Sequence, residues 1–204
     1  RRSRHSVADP RVERIRAATG IEAIPACVYV AAEMTAPGRV KHTARGDLVI
    51  GDLSGLHGTD KFRGQQLERL ATLFGRAGIT CTVSENIAGE LWTKLIMNCA
   101  YNAISALSRS RYGPMVRSPW TRELMRQVIE EVVAVGRASG VQFPSINMVE
   151  AGLKLVETMP NAISSTAQDL ARGKRTEIDA LNGYVARRGV ELGVATPGKG
   201  DALK

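Results

Sequence analysis

Residues 85–107, ENIAGELWTKLIMNCAYNAISAL, constrain this chain more than any other stretch. At helical spacing, Trp92, Leu95, Ile96, Cys99, Ala100, Ala103, Ile104 and Leu107 cover well over half of the circumference. A helix that is apolar nearly all round has to be buried, so this segment is expected to be the most buried helix of the fold. What remains polar falls in one narrow stripe of Lys94, Asn98, Asn102 and Ser105. A solvated face would carry Glu, Lys and Arg; this one offers a single cation and two short amides. Leaving a buried polar group unpaired costs about 1–3 kcal/mol, so something must satisfy the stripe. Two readings stay open. The amides form a ladder that ties helices together while Lys94 snorkels outward, or the stripe lines a cleft completed by a polar ligand.

The sequence on either side of this helix has two textures. Up to about Asn86 it is mixed. Cys27-Val28-Tyr29-Val30 is short, apolar and strand-like, and Val40-Lys41-His42-Thr43 and Leu48-Val49-Ile50 flank Ala44-Arg45-Gly46-Asp47, which reads as a hairpin turn. Asp60 is placed to cap a helix carrying Phe62, Leu67, Leu70 and Phe74, with Gly78 as its stop, and residues 79–83 form a further strand candidate.

Beyond residue 85 strand signals vanish. Ser118-Pro119 reads as an N-cap followed by proline in the first turn, opening a helix with Leu124, Val128, Val132 and Val135 on one face and an end near Gly140. A helix over residues 145–158 is stopped by Pro160, and a long one is expected over residues 164–192, bent near Gly173. The fold class is therefore α+β: an α/β region over residues 1–85, then an all-α domain over residues 86–204.

Composition narrows the function. The net charge of +8 suits an anionic partner such as a phosphorylated cofactor or an acidic metabolite. Specific nucleic-acid binding would call for base-stacking aromatics among the positive charges, and aromatics are only 4% of the chain. Cys27, Cys81 and Cys99 lie far apart without CxxC pairing, which fits buried thiols in a reducing cytoplasm rather than disulfides or metal ligands. No run approaches a membrane span and no signal-peptide pattern opens the chain.

The stripe also carries a resemblance. Leu91-Trp92-Thr93-Lys94-Leu95-Ile96-Met97-Asn98-Cys99-Ala100-Tyr101-Asn102 is similar to the W-x-K-L-x-x-N-x-x-x-N signature of ketopantoate reductases. Ser164-Ser165-Thr166-Ala167-Gln168-Asp169, then Arg175-Thr176-Glu177-Ile178-Asp179 and Asn182-Gly183, resemble the family's S-S-x-x-Q-D…TEID…NG segment. Upstream, Val28 to Glu33, Pro37-Gly38 and Val49-Ile50-Gly51 resemble the strands that close its cofactor domain. The likeness runs in register from about Asp9 to Pro197.

The resemblance implies a helical domain like the C-terminal domain of 6-phosphogluconate dehydrogenase, preceded by an incomplete Rossmann-type remnant. It implies NADPH-dependent reduction of 2-dehydropantoate, a small 2-keto acid, on the way to pantothenate. By this likeness Lys94 is the proton donor, Asn98 and Asn102 are substrate-binding amides, Ser165 is a substrate-binding hydroxyl, and Glu177 is a carboxylate at the cofactor's ribose. No metal ligand, specific nucleic acid or membrane partner is implied, and a homodimer through the helical domain is an expected assembly.

Plainer roles compete at two positions. Ser165 with Gln168 fits a capping box, and Glu177 fits an ordinary solvated helix residue. On one continuous helix Ser165 and Glu177 would also stand about 18 Å apart.

The departures from the family set further expectations. No G-x-G-x-x-G occurs; Gly198-Lys199-Gly200 is the sole G-x-G, and Tyr112 stands where some members have another substrate-binding asparagine. The chain is thus expected to be a fragment, a truncated reading frame or a non-catalytic relative. Three readings follow: a reductase domain that needs a nucleotide-binding half, a helical dimerisation module without catalysis, and a basic domain that binds anions or nucleic acid.

Overall fold

The computed structural model describes residues 10–53 and 61–200. The chain divides into two compact units that part between Leu91 and Trp92.

The first unit holds helix α1 (Pro10–Thr19), strands β1 (Ala26–Ala36) and β2 (Arg39–Gly51), helix α2 (Lys61–Arg76) and strand β3 (Cys81–Ser84). The three strands form one sheet in the order β1-β2-β3, with β1 antiparallel and β3 parallel to β2. A parallel pair needs a crossover, and α2 supplies it, so β2–α2–β3 is a βαβ unit.

The hairpin turn lies elsewhere than the sequence suggested. β2 runs straight through Ala44 to Asp47, and the chain reverses instead at Pro37-Gly38, where Gly38 has φ 73° and Ala36 pairs with Arg39. Proline followed by a glycine at positive φ is the chemistry of a type II turn. Gly46 marks a bulge: the register steps from Tyr29 opposite Asp47 to Val30 opposite Arg45, with Arg45 at φ 55° and Gly46 at φ 148°. The Arg45 guanidinium lies 3.9 Å over the Tyr29 ring and pairs with Asp47 at 2.6 Å. In α2, Leu67 is buried and Leu70 and Phe74 are half-buried, but Phe62 is 70% exposed. Gly78, at φ 77°, follows the end of that helix as expected, and the proposed cap Asp60 lies outside the described residues.

Helix α3 (Ile87–Ser108) starts in the first unit and continues into the second. After it come α4 (Tyr112–Arg117), α5 (Pro119–Ala138), α6 (Met148–Thr158), α7 (Ser165–Ala171), a 3-10 turn (Ile178–Ala180), α8 (Asn182–Leu192) and α9 (Pro197–Gly200). Among the described residues no strand follows β3, as the sequence led us to expect.

The Ser118 hydroxyl caps α5 by accepting from the Thr121 N–H at 3.4 Å. The buried face of α5 is Met125, Val128, Ile129, Val132 and Val135, and Leu124 is exposed. Helix α6 starts at Met148 rather than at residue 145, because Asn147 caps it, its Oδ1 accepting from the N–H groups of Val149 and Glu150. The single long helix expected over residues 164–192 is two helices: α7 ends at Ala171, Gly173 takes φ 64°, and α8 begins eleven residues after α7 ends. No helix among the described residues is long and apolar enough to cross a membrane.

Gly51 joins the sheet to the start of α3. A Cβ there would lie 2.6 Å from Ile87 Cβ and 2.8 Å from the Ser84 carbonyl oxygen, neither of which can swing away. Gly51→Ala is therefore expected to destabilise the fold by about 1–3 kcal/mol, read as a melting temperature lowered by several degrees. An unchanged melt would contradict this packing.

Candidate active site

Along α3 the side chains of Trp92, Ile96, Cys99, Ala100 and Tyr101 are buried, while Lys94 and Asn98 are half-buried and Asn102 is 4% exposed. The apolar circumference stops short of the helix end, because Leu107 is 83% exposed. The stripe is therefore set into the helical unit rather than presented on a wet face.

Four other side chains tie neighbouring segments to this helix. The Tyr101 hydroxyl donates to the Gly152 carbonyl of α6 at 2.9 Å. Burial pushes its pKa up to about 12, so it stays protonated and keeps donating at physiological pH. The Ser105 hydroxyl donates to the Ser110 carbonyl at 2.9 Å and accepts the Ser164 N–H at 3.4 Å. The Ser164 hydroxyl donates to the Asn102 carbonyl at 3.2 Å, and the Asn182 Nδ2 donates to the Cys99 carbonyl at 3.3 Å.

By contrast, the side-chain amides of Asn98 and Asn102, the Ser165 hydroxyl and the Glu177 carboxylate form no hydrogen bond among the described residues. The amide ladder therefore does not form there: serine, tyrosine and Asn182 hold the helices, and the stripe's own amides are left over.

The family model for the C-terminal part of ketopantoate reductase (PanE/ApbA) matches residues 86–198. This chain belongs to the ketopantoate reductase family. It is similar to the PanE/ApbA family ketopantoate reductase of Ralstonia eutropha JMP134, whose crystal structure superposes with a TM-score of 0.80 at 46% identity, covering 92% of this chain and 59% of that one. The 2-dehydropantoate 2-reductase of Caulobacter vibrioides is 34% identical over 85% of this chain and 56% of its own length. That of Pyrobaculum aerophilum is 41% identical over 63% of this chain and 46% of its own length. The chain thus spans about half the length of the curated relatives it matches.

In this family member, Ser165 and Glu177 are not on one helix, so the expected separation of about 18 Å along a common axis does not apply. α7 closes with Lys174 N–H bonding back to the Asp169 carbonyl at 2.8 Å, and the left-handed Gly173 turns the chain away. The segment between the two helices is held at both ends on α3, by Ser164 on one side and Asn182 on the other. Ser165 directly follows the first anchor and Glu177 precedes the second by five residues. Both side chains are exposed.

The capping-box role for Ser165 is overturned, because Ser164 is the cap: its Oγ accepts the Ala167 N–H at 3.1 Å. Ser165 sits at the first helical position, where its hydroxyl is not needed for capping. Tyr112 is a core residue with its ring centroid 4.6 Å from that of Tyr101.

Asn182 was visible in the sequence only as part of an Asn-Gly pair, with no period or charge to mark it as an anchor. Two hollows, of about 530 Å³ over Gly64, Gln65, Glu68 and Arg69 and about 430 Å³ bordered by Arg117, Arg122, Arg126 and Leu153, are lined by other residues than the stripe.

Adjacent serines with opposite duties make a clean test. Ser164→Ala removes a cap and a buried helix–helix bond and is expected to cost about 1–2 kcal/mol, whereas Ser165→Ala should stay within about 0.5 kcal/mol of wild type. Chemical denaturation of both variants measures the difference; equal losses would mean the cap has been misassigned.

Proposed function

We propose that this chain supplies the substrate-binding and proton-donating part of an NADPH-dependent reductase that converts 2-dehydropantoate to pantoate, working with a nucleotide-binding half in the cytoplasm. The carrying observation is the stripe: two amides beside a lysine, embedded in the helical unit, with no hydrogen bond from the described protein residues to the amides. Family membership and the shared name of the relatives, 2-dehydropantoate 2-reductase, supply the substrate class.

In this reading Lys94 faces the C2 carbonyl oxygen of the keto acid. Its ammonium stabilises the negative charge that develops on that oxygen and then gives up a proton to it, leaving the hydroxyl of pantoate. Asn98 and Asn102 each present both a donor and an acceptor. They orient the substrate's oxygens without adding a negative charge that would repel its carboxylate. Ser165, released from capping duty, donates or accepts at the substrate as well.

For NADPH the fit is partial. An exposed carboxylate with no hydrogen-bonding partner among the described residues, as at Glu177, suits two ribose hydroxyls that need an acceptor. The glycine-rich pyrophosphate loop of a dinucleotide fold is not among this chain's residues. NADPH, when bound, supplies the hydride to C2.

NADPH oxidation on addition of ketopantoate, by this chain together with a nucleotide-binding half, is the direct assay. Lys94→Ala is expected to lower kcat by about 10²- to 10⁴-fold, while Asn98→Ala and Asn102→Ala chiefly raise the KM for ketopantoate. Turnover within a factor of about two of wild type in Lys94→Ala would remove the lysine from the mechanism.

A further inference from the structure

We propose that Asn182 is a positioning residue whose amide fixes where the Glu177 carboxylate stands relative to the Lys94–Asn98–Asn102 stripe. The inference rests on the reading that Glu177 serves the cofactor's ribose.

Asn182 is 5% exposed. Its Nδ2 grips the Cys99 carbonyl at 3.3 Å, and its Oδ1 is buried with no hydrogen-bond partner. An apolar side chain of similar size would fill the space without stranding an acceptor. What the amide adds is a single N–H directed at α3, on a carbonyl that lies between Asn98 and Asn102 in sequence.

The connection from Asn182 back to Glu177 is stiff. The N–H groups of Ala180 and Leu181 both donate to the Glu177 carbonyl, at 2.9 and 3.1 Å, closing the 3-10 turn on that residue. Leu181 then caps α8 in an irregular conformation, φ −102° and ψ −93°, and its carbonyl accepts the Val185 N–H at 3.2 Å.

Arg187 braces the same bend from the other side, reaching the Asp179 carboxylate at 2.6 Å and the Asp179 carbonyl at 2.9 Å. A Cβ on Gly183 would come within 2.8 Å of Asp179 Oδ1 and 3.1 Å of Arg187 Nη1, so glycine leaves room for this pair beside the start of α8. Main-chain hydrogen bonds therefore tie Glu177 to the start of α8, with the Arg187–Asp179 pair lying along the same bend. The Glu177 side chain makes no hydrogen bond of its own among the described residues, so its location follows this segment, and the Asn182 amide seats the segment on α3.

A double-variant cycle in the complete reductase tests this, with NADPH affinity read by calorimetry and folding checked by melting. Glu177→Gln is expected to weaken NADPH binding about tenfold, the effect of one hydrogen bond to a charged group. Asn182→Ala should weaken it by up to the same factor, and the double variant should bind no worse than Glu177→Gln alone, since both act through one contact.

Asn182→Asp keeps the size while turning the donor towards α3 into an acceptor. It should weaken binding as the alanine variant does, and recover as pH is lowered and the carboxyl regains a proton to donate. It carries the test if the alanine variant does not fold. Losses that multiply in the double variant, or Asn182 variants with wild-type affinity, would overturn the positioning role. Wild-type affinity in Glu177→Gln would instead overturn the ribose reading, and this inference with it.

Discussion

Two main-chain carbonyls of α3, those of Cys99 and Asn102, each take a side-chain hydrogen bond from a segment far along the chain, Asn182 in one case and Ser164 in the other. Three residues along a helix amount to about 4.5 Å of rise, so the two anchors sit less than one turn apart. They dock the start of α7 and the start of α8 against the same helix, and so they fix the segment that carries Ser165 and Glu177. Being buried, each bond is made where water cannot substitute for a lost partner, so it holds its segment more firmly than an exposed bond would. The cost is visible too: the acceptor on Asn182 is stranded in the interior, at about 1–3 kcal/mol.

The sequence announced the elements governed by local periodicity and left obscure those governed by tertiary anchoring. Residues 85–107 were read within two residues of the observed Ile87–Ser108, because a nearly all-apolar helix leaves no other period to fit. The Ser118-Pro119 start of α5 was equally plain, since cap and first-turn chemistry are local.

The break after Ala171 was not. Residues 164–192 keep an acceptable helical pattern throughout, and what ends α7 is a left-handed Gly173 combined with two distant carbonyls that pull the flanking pieces onto α3. The Ser164–Ser165 pair was ambiguous for the same reason: either serine can cap, and the register is set by which hydroxyl reaches Asn102. In the first unit, Gly46 was read as part of a hairpin turn, and that reading fails because residues 39–51 are one strand. Only the strand pairing reveals that Gly46 relieves a bulge while Pro37-Gly38 makes the turn.

The net positive charge has a mostly mundane disposition. Arg126 lies between Glu123 and Glu130, Arg187 pairs with Asp179, Arg188 with Glu191, and Arg45 with Asp47, all with at least one member well exposed. Such pairs contribute little to stability in salt. Arg63 pairs with Asp52, whose carboxylate is almost fully enclosed and held at 3.1 Å. These pairs do not assemble a track suited to a polyanion.

The stripe on α3 carries amides where carboxylates of similar size would also fit. A carboxylate at the position of Asn98 or Asn102, half-buried or buried, would be expensive to desolvate and would seek out Lys94 as its counter-ion. Such a carboxylate would also repel an anionic ligand. Asparagine avoids these consequences. It is neutral, so burying it costs far less than burying a charge, and it donates and accepts within one short side chain. Asn98 and Asn102 follow Lys94 by four and eight residues along α3, so the stripe offers hydrogen bonds without adding a negative charge beside the lysine.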